Sequence, residues 1–223
     1  GDQITTITKK YIDGVCSQSE AIRDNPILFL DFMNDLINHD LEKKELFNGT
    51  LMSNMSLDNR EILFENIKKE DEFAFDVLKG SGILDEKDGD TEYLLKDSNF
   101  QEVIDFIELL RKHNIKDSIL FHKMFICCCR KENFEYLITK DLPLFLKVIQ
   151  DSKLLEADSN IKENSPEGLS GWDLSRYILL ENTIAKFIKY VQKYHIKDRY
   201  LIDRPFIAIA DNPLADDFFK VFD

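Results

Sequence analysis

The sequence is poor in the residues that break or staple a chain: 223 residues carry only 8 Gly, 5 Pro, 4 Cys and one Trp. So few breakers argue against a loop-built or low-complexity protein, and 43% hydrophobic content with 17 Phe argues against disorder. Long apolar runs are missing too. The longest, such as Pro26 to Leu30 and Met124 to Cys129, fall far short of the roughly 20 residues of a membrane span. Positive charge is scarce: 29 Lys and Arg stand against 42 Asp and Glu, a net charge of -13. Such a molecule repels phosphate backbones and anionic lipid surfaces, so neither nucleic acid nor a membrane is an expected partner.

Three of the four cysteines, Cys127, Cys128 and Cys129, are adjacent, and neighbours on a helix point about 100° apart, so they cannot converge on one partner. They read as small buried hydrophobes in a reducing compartment. Neither they nor His39, His113, His122 and His195 show a zinc-ligand spacing, and no nucleophile or phosphate-loop motif is present. No cofactor and no metal are expected. The expected compartment is the cytoplasm, with secretion into a host cell as the alternative. Gly1 in place of an initiator Met is compatible with either.

What is present is helical period. Residues 1 to 14 and Ile27 to Ile37 carry apolar stripes, and a turn-rich segment, 48 to 58, closes this N-terminal part. Helices are expected from Asn59 to Lys69, from Asp71 to Lys79, from Asn99 to His113, and from Ile119 to Cys129. Others are expected from Asn133 to Thr139 and from Leu142 to Leu155, before a polar loop over 156 to 167. Lys79-Gly80-Ser81-Gly82 supplies a left-handed helix end, Asp88-Gly89 a tight reversal, and Thr91 an N-cap. Ser170 and Asp173 have capping-box spacing. Two stretches also match each other, FIELLRKHNIKD (Phe106 to Asp117) and FIKYVQKYHIKD (Phe187 to Asp198).

Asp88-Gly89-Asp90-Thr91-Glu92-Tyr93-Leu94-Leu95-Lys96 resembles the turn and helix opening of an ankyrin repeat, roughly D-G-x-T-P-L-H-x-A. Glu92 stands for the proline, Tyr93 for the leucine, Leu94 for the histidine and Lys96 for the small residue. Gly168-Leu169-Ser170-Gly171-Trp172-Asp173-Leu174-Ser175 is similar to the same opening, with Trp172 in place of a buried leucine. Ile83 to Ile115 spans 32 residues, near the period of about 33, whereas Thr91 to Ser170 spans 79, an excess that Leu142 to Leu155 fills as an extra helix.

The resemblance implies an all-α fold of stacked antiparallel helix pairs, an ankyrin-like α-solenoid. Residues 1–57 would form an N-terminal helical cap, 58–196 the repeats, and 197–223 a helical segment packed on the last repeat. It implies a protein-protein interaction scaffold that binds through a concave surface of hairpin tips and inner helices. The alternative is a helical domain of a larger enzyme or secreted bacterial effector. The residues assigned to binding are Asp85, Asp88, Asp90 and Glu92, part of an acidic hairpin tip suited to a basic patch on a protein partner. Calcium is refused by register: with Gly89 at the sixth position of a calcium loop, Leu84 and Leu95 fall where carboxylates are required.

Overall fold

The computed structural model describes residues 71–83, 97–156 and 168–223, together with the helical positions Glu65, Lys68, Lys69 and Leu94. All regular structure among them is helical, nine α-helices and two 3₁₀ turns. The chain divides into two compact units, Gly1–Arg111 with Lys116–Lys123, and Lys112–Ile115 with Met124–Asp223. The N-terminal cap expected over 1–57 lies outside the described residues. The segment 197–223 belongs to the same unit as the helices before it.

In the first unit, α1 (Glu72–Gly80) starts where Asp71 leaves the helical region (φ -143°, ψ 79°) and its carboxylate accepts the Ala74 N–H at 3.0 Å. Phe75, Val77 and Leu78 are buried. The helix ends at buried Ser81, whose hydroxyl donates to the Leu78 carbonyl, and the left-handed residue is Gly82, φ 75°. Ile83 follows, fully buried. Next among the described helices, α2 (Asp97–Lys112) buries Phe100, Val103, Phe106, Ile107 and Leu110, a stripe of period 3.6.

After α2 the chain passes through Asn114 at φ 52°, buries Ile115, and enters a 3₁₀ turn, Ser118–Phe121, capped by Asp117. This turn lies against α1, where Phe73 and Phe121 meet edge to face at 5.9 Å. A single helix from Ile119 to Cys129 is therefore not formed. Asp117 holds the first residues in the tighter 3₁₀ form, His122 is extended (φ -60°, ψ 139°), and α3 begins only at Lys123, running to Cys128.

In the second unit α4 (Lys131–Lys140) leads directly into α5 (Leu142–Asp151). Asp141 caps α5 through the Leu144 N–H, and Pro143 occupies its first turn, where no N–H is needed. Phe125, Phe134 and Phe145 form a buried triad with centroids 5.2 to 6.2 Å apart. Each ring contributes roughly 1.5–3 kcal/mol by leaving water. Further along, α6 (Gly171–Leu180) is capped by Ser170, whose hydroxyl accepts the Asp173 N–H at 3.2 Å and donates to the Asp173 carboxylate. Ser175 is wholly buried, the small residue expected there, whereas Trp172 is only half-buried. A turn through left-handed Asn182 opens α7 (Thr183–Lys193), which buries Ile184, Ala185, Phe187, Ile188 and Val191. A second 3₁₀ turn (Arg199–Leu201) and the helices α8 (Arg204–Ile209) and α9 (Ala215–Lys220) complete it, α8 packing on α6 and α7.

One motif occurs twice. After α7 the chain repeats the path taken after α2: His195 is left-handed at φ 47°, Ile196 is buried, and Asp198 caps the second 3₁₀ turn through the Tyr200 N–H. Backbone angles at the two caps agree, -75° and 114° at Asp117 against -70° and 114° at Asp198. The likeness extends to α1 and α5. Each has an Asp cap with ψ near 80°, a buried Phe four residues on, a buried Ser at its end, then a left-handed residue (Gly82, Lys153) and a fully buried Ile83 or Leu154. In this arrangement α5 holds the place in the second copy that α1 holds in the first.

Candidate functional site

Asp85, Asp88, Asp90 and Glu92 lie outside the described residues. Described chain flanks them: Ser81-Gly82-Ile83 on one side, with Ile83 anchored in the core, and Leu94, fully buried, on the other.

Matched polar tethers are the clearest geometry that the sequence did not announce. At the end of α2, Lys112 Nζ lies 2.7 Å from Glu135 Oε1 on α4, and His113 Nε2 lies 2.8 Å from the same oxygen. At the end of α7, Lys193 Nζ lies 2.6 Å from Asp216 Oδ1 on α9, and Tyr194 is the next residue. The three positions, Lys112, His113 and Glu135 against Lys193, Tyr194 and Asp216, correspond within the two copies of the motif. Hydrogen bonding from Lys112, then His113, holds the Glu135 carboxyl below its ordinary value, and Lys193, then Tyr194, does the same at Asp216. A third correspondence involves the caps. Arg111 Nη2 donates to the Asp71 carboxylate at 2.5 Å, and Gln192 Nε2 donates to the Asp141 carboxylate at 3.1 Å. Apart from buried Tyr194 these groups are partly or largely exposed, so each ion pair adds little to stability.

Asp211, in the turn between α8 and α9, is more enclosed, its side chain 14% exposed. One carboxylate oxygen accepts from Tyr177 at 3.0 Å and from Thr183, and the other pairs with Lys186. Burial acts to raise its pKa most strongly of any single influence, but the bonds from Lys186, Thr183 and Tyr177 together outweigh it and leave the carboxyl below its ordinary value. The group joins α6, α7 and the α8–α9 turn. With its acceptors engaged, its geometry is that of a structural tie.

Cys127 and Cys128 lie on α3 and Cys129 just beyond its end, so the three do not share one helix. Cys128 and Cys129 are buried and Cys127 half-buried, and burial beside Cys128 pushes the Cys129 thiol up to about 12, away from thiolate chemistry. Burial, and then the charge of Lys123, lowers the pKa of His122. Among the described residues no group of three or more His, Cys, Asp or Glu is placed to hold a metal ion, and no helix is long and apolar enough to cross a membrane.

Tyr190 stacks on Phe219 at 5.1 Å and on Tyr194 at 6.4 Å, so the tyrosines of α7 pack against the C-terminal segment. The outer side of that segment is apolar and open: Leu214, Val221 and Phe222 are 68%, 79% and 42% exposed. Phe218 is half-buried among them, 5.5 Å from Phe222 and 6.2 Å from Phe206. The sequence reading of 197–223 as a segment packed on the last repeat does not anticipate this face. The signal was there in the i, i+4, i+7, i+8 spacing of Leu214, Phe218, Val221 and Phe222. No protein-family model, curated protein or solved structure matches the chain.

Proposed function

We propose that this chain is a protein-recognition scaffold of stacked, ankyrin-like helix pairs acting in the cytoplasm. The observation that carries the reading is the recurrence of one motif: an Asp-capped helix, a long helix, a left-handed residue, a buried Ile, an Asp-capped 3₁₀ turn and two short helices. Repeated units that each bury a face against a neighbour build extended surfaces, and such surfaces serve recognition. The binding residues we assign are Asp85, Asp88, Asp90 and Glu92, five carboxylates with Glu86 in an eight-residue stretch that would meet a basic patch.

The test is affinity capture of partners at native salt, followed by association kinetics with the purified partner. Substituting Asp85, Asp88 and Asp90 together with Asn is expected to slow association and flatten its salt dependence while leaving the thermal midpoint in place, because exposed charges act through long-range, screened attraction. An unchanged association rate at low ionic strength overturns the acidic-tip assignment. Absence of any saturable, stoichiometric protein ligand overturns the scaffold reading.

A further inference from the structure

We propose that Tyr136 of α4, with Lys140 beside it and Lys189 reaching it from α7, is the seat for an acidic peptide segment of a partner protein. The inference rests on the protein-recognition reading above and adds to it a second contact, opposite in charge to the acidic tip.

The two copies of the motif align at a constant offset of 81 residues from Phe106 and Phe187 onward, so Glu108 and Arg111 of α2 correspond to Lys189 and Gln192 of α7. In the first copy the charges at these positions are met within the chain, where Arg111 pairs with both Glu108 and the cap Asp71. In the second copy the cap is Asp141, and neutral Gln192 donates to it. A lysine stands where the first copy has the glutamate. The Lys189 ammonium lies over the Tyr136 ring, 5.3 Å from its centroid, and the Lys140 ammonium, one turn beyond Tyr136 on α4, lies 5.7 Å from the same centroid. Neither ammonium group makes an ion pair or a hydrogen bond with a described residue, and the Tyr136 hydroxyl makes no hydrogen bond among them either.

These three groups share one chemistry. Two ammonium groups and a phenol O–H are all donors to an anion, both lysines are exposed, and the ring between the two helices is half-buried. A ring attracts a cation only weakly at an exposed site, and two like charges drawn to one ring repel each other, so an anion close to both gains from each. The chain is rich in carboxylates, 42 against 29 Lys and Arg, yet among the described residues it sets none against this pair. The neighbouring sequence is positive as well: Lys186 to Tyr200 carries five Lys and Arg and one carboxylate, Asp198. Lys186 and Lys193, on the same side of α7 as Lys189, are held by Asp211 and Asp216, which leaves Lys140 and Lys189 as the charges open to a partner.

The field of the whole protein narrows the class of anion. A net charge of -13 repels a long polyanion such as nucleic acid, whereas a short acidic segment samples the local potential. Two lysines offer point charges to two carboxylates, and the tyrosine between them is an aromatic anchor of the kind that concentrates binding energy at recognition surfaces. Complementary charge at such a seat sets encounter rate and orientation.

The probe is a rhodamine-labelled octamer of glutamate, titrated into the full chain at low ionic strength and followed by anisotropy. Saturable binding that weakens with salt is expected. Lys140→Glu with Lys189→Glu should weaken it roughly tenfold, and Tyr136→Phe, which keeps the ring and removes the donor, about threefold. The reference is Lys79→Glu with Lys116→Glu, the same change in net charge at exposed lysines of the first unit, which should weaken it by no more than about twofold. An unchanged circular dichroism spectrum and thermal midpoint establish that the variants fold, and Lys140→Gln with Lys189→Gln serves if charge reversal lowers the midpoint. No saturable binding, or equal weakening by the two double variants, overturns the proposal. So does tighter binding of a single-stranded oligonucleotide that is lost in the Lys140 and Lys189 variant, because the occupant would then be nucleic acid. A captured protein partner that binds this variant at full strength removes the seat while leaving the scaffold reading intact. If neither the octamer nor any protein binds, the scaffold reading itself fails.

Discussion

Gly80 stands against Phe121 so closely that a Cβ added to it would lie 2.8 Å from the Phe121 Cβ. The last residue of α1 is glycine because the first 3₁₀ turn occupies the space a side chain would need. Helix propensity alone would make Gly80→Ala stabilising by up to about 1 kcal/mol. The contact reverses the sign, because a Cβ near the backbone cannot swing aside. We expect a net loss of roughly 1–3 kcal/mol, the usual range for overpacking, read from the urea midpoint. A rise in the midpoint would show that the turn yields.

Asp71 and Asp141 each cap a helix and each receive a side-chain donor from a neighbouring long helix, Arg111 or Gln192. Replacing either Asp with Ala is expected to cost about 1 kcal/mol, the ordinary worth of an N-cap. The Arg111–Asp71 pair is 41% exposed on both sides, so its coupling in a double-mutant cycle is expected to stay within about 1 kcal/mol. A coupling of several kcal/mol would mean that the pair, and not the cap, holds α1 in place.

Asn114 and His195 hold the same left-handed conformation at φ 52° and 47°. Asparagine tolerates it better than histidine does, since its short side chain hydrogen-bonds locally. Glycine at both positions is expected to raise stability, by a few tenths of a kcal/mol at Asn114 and up to about 1 kcal/mol at His195. Equal gains, or losses, in chemical denaturation would contradict the shared turn.

Asp211 gives the protein an acid-sensitive tie. Its folded pKa lies below the ordinary value, so its contribution is fully present above the unfolded value of about 3.9 and is lost as pH falls through the folded value. Asp211→Asn should therefore lower stability at pH 7 by on the order of 1–2 kcal/mol, as charge-assisted hydrogen bonds are replaced by neutral ones. The gap between variant and wild type should close below about pH 4. Thermal midpoints at pH 7, 5, 4 and 3 measure this, and a gap constant across that range would exclude the carboxylate as its source.

Much of the helical skeleton was legible, for particular reasons. FIELLRKHNIKD and FIKYVQKYHIKD keep a buried Ile and a capping Asp in register, and both segments make the same left-handed exit and 3₁₀ turn. The glycine pair before Ile83 likewise marked the end of α1. The break at His122 was not legible, because Leu120, Phe121, Met124 and Phe125 keep a helical period straight across it, and only the Asp117 side chain, bonding locally, decides otherwise. The kinship of α1 and α5 was hidden because their shared features are two caps, one Phe and one Ser among otherwise different residues. The open face of α9 escaped because so short a helix is apolar on both sides, Phe219 inward and Phe218 outward, and period alone does not tell them apart.

The two polar tethers also bear on how such a chain can change. Lysine stands at both Lys112 and Lys193, but the acceptor is Glu135 in one copy and Asp216 in the other, and the residue after the lysine is His113 in one and Tyr194 in the other. A shorter carboxylate goes with a larger neighbouring side chain, while the lysine contact is kept at 2.7 and 2.6 Å. Substitutions there are expected to be coupled, because Lys112 and His113 share Glu135 Oε1: His113→Tyr or Glu135→Asp alone should disturb the junction more than the two together. Chimeras between the copies should therefore be cut so that donor and acceptor travel together.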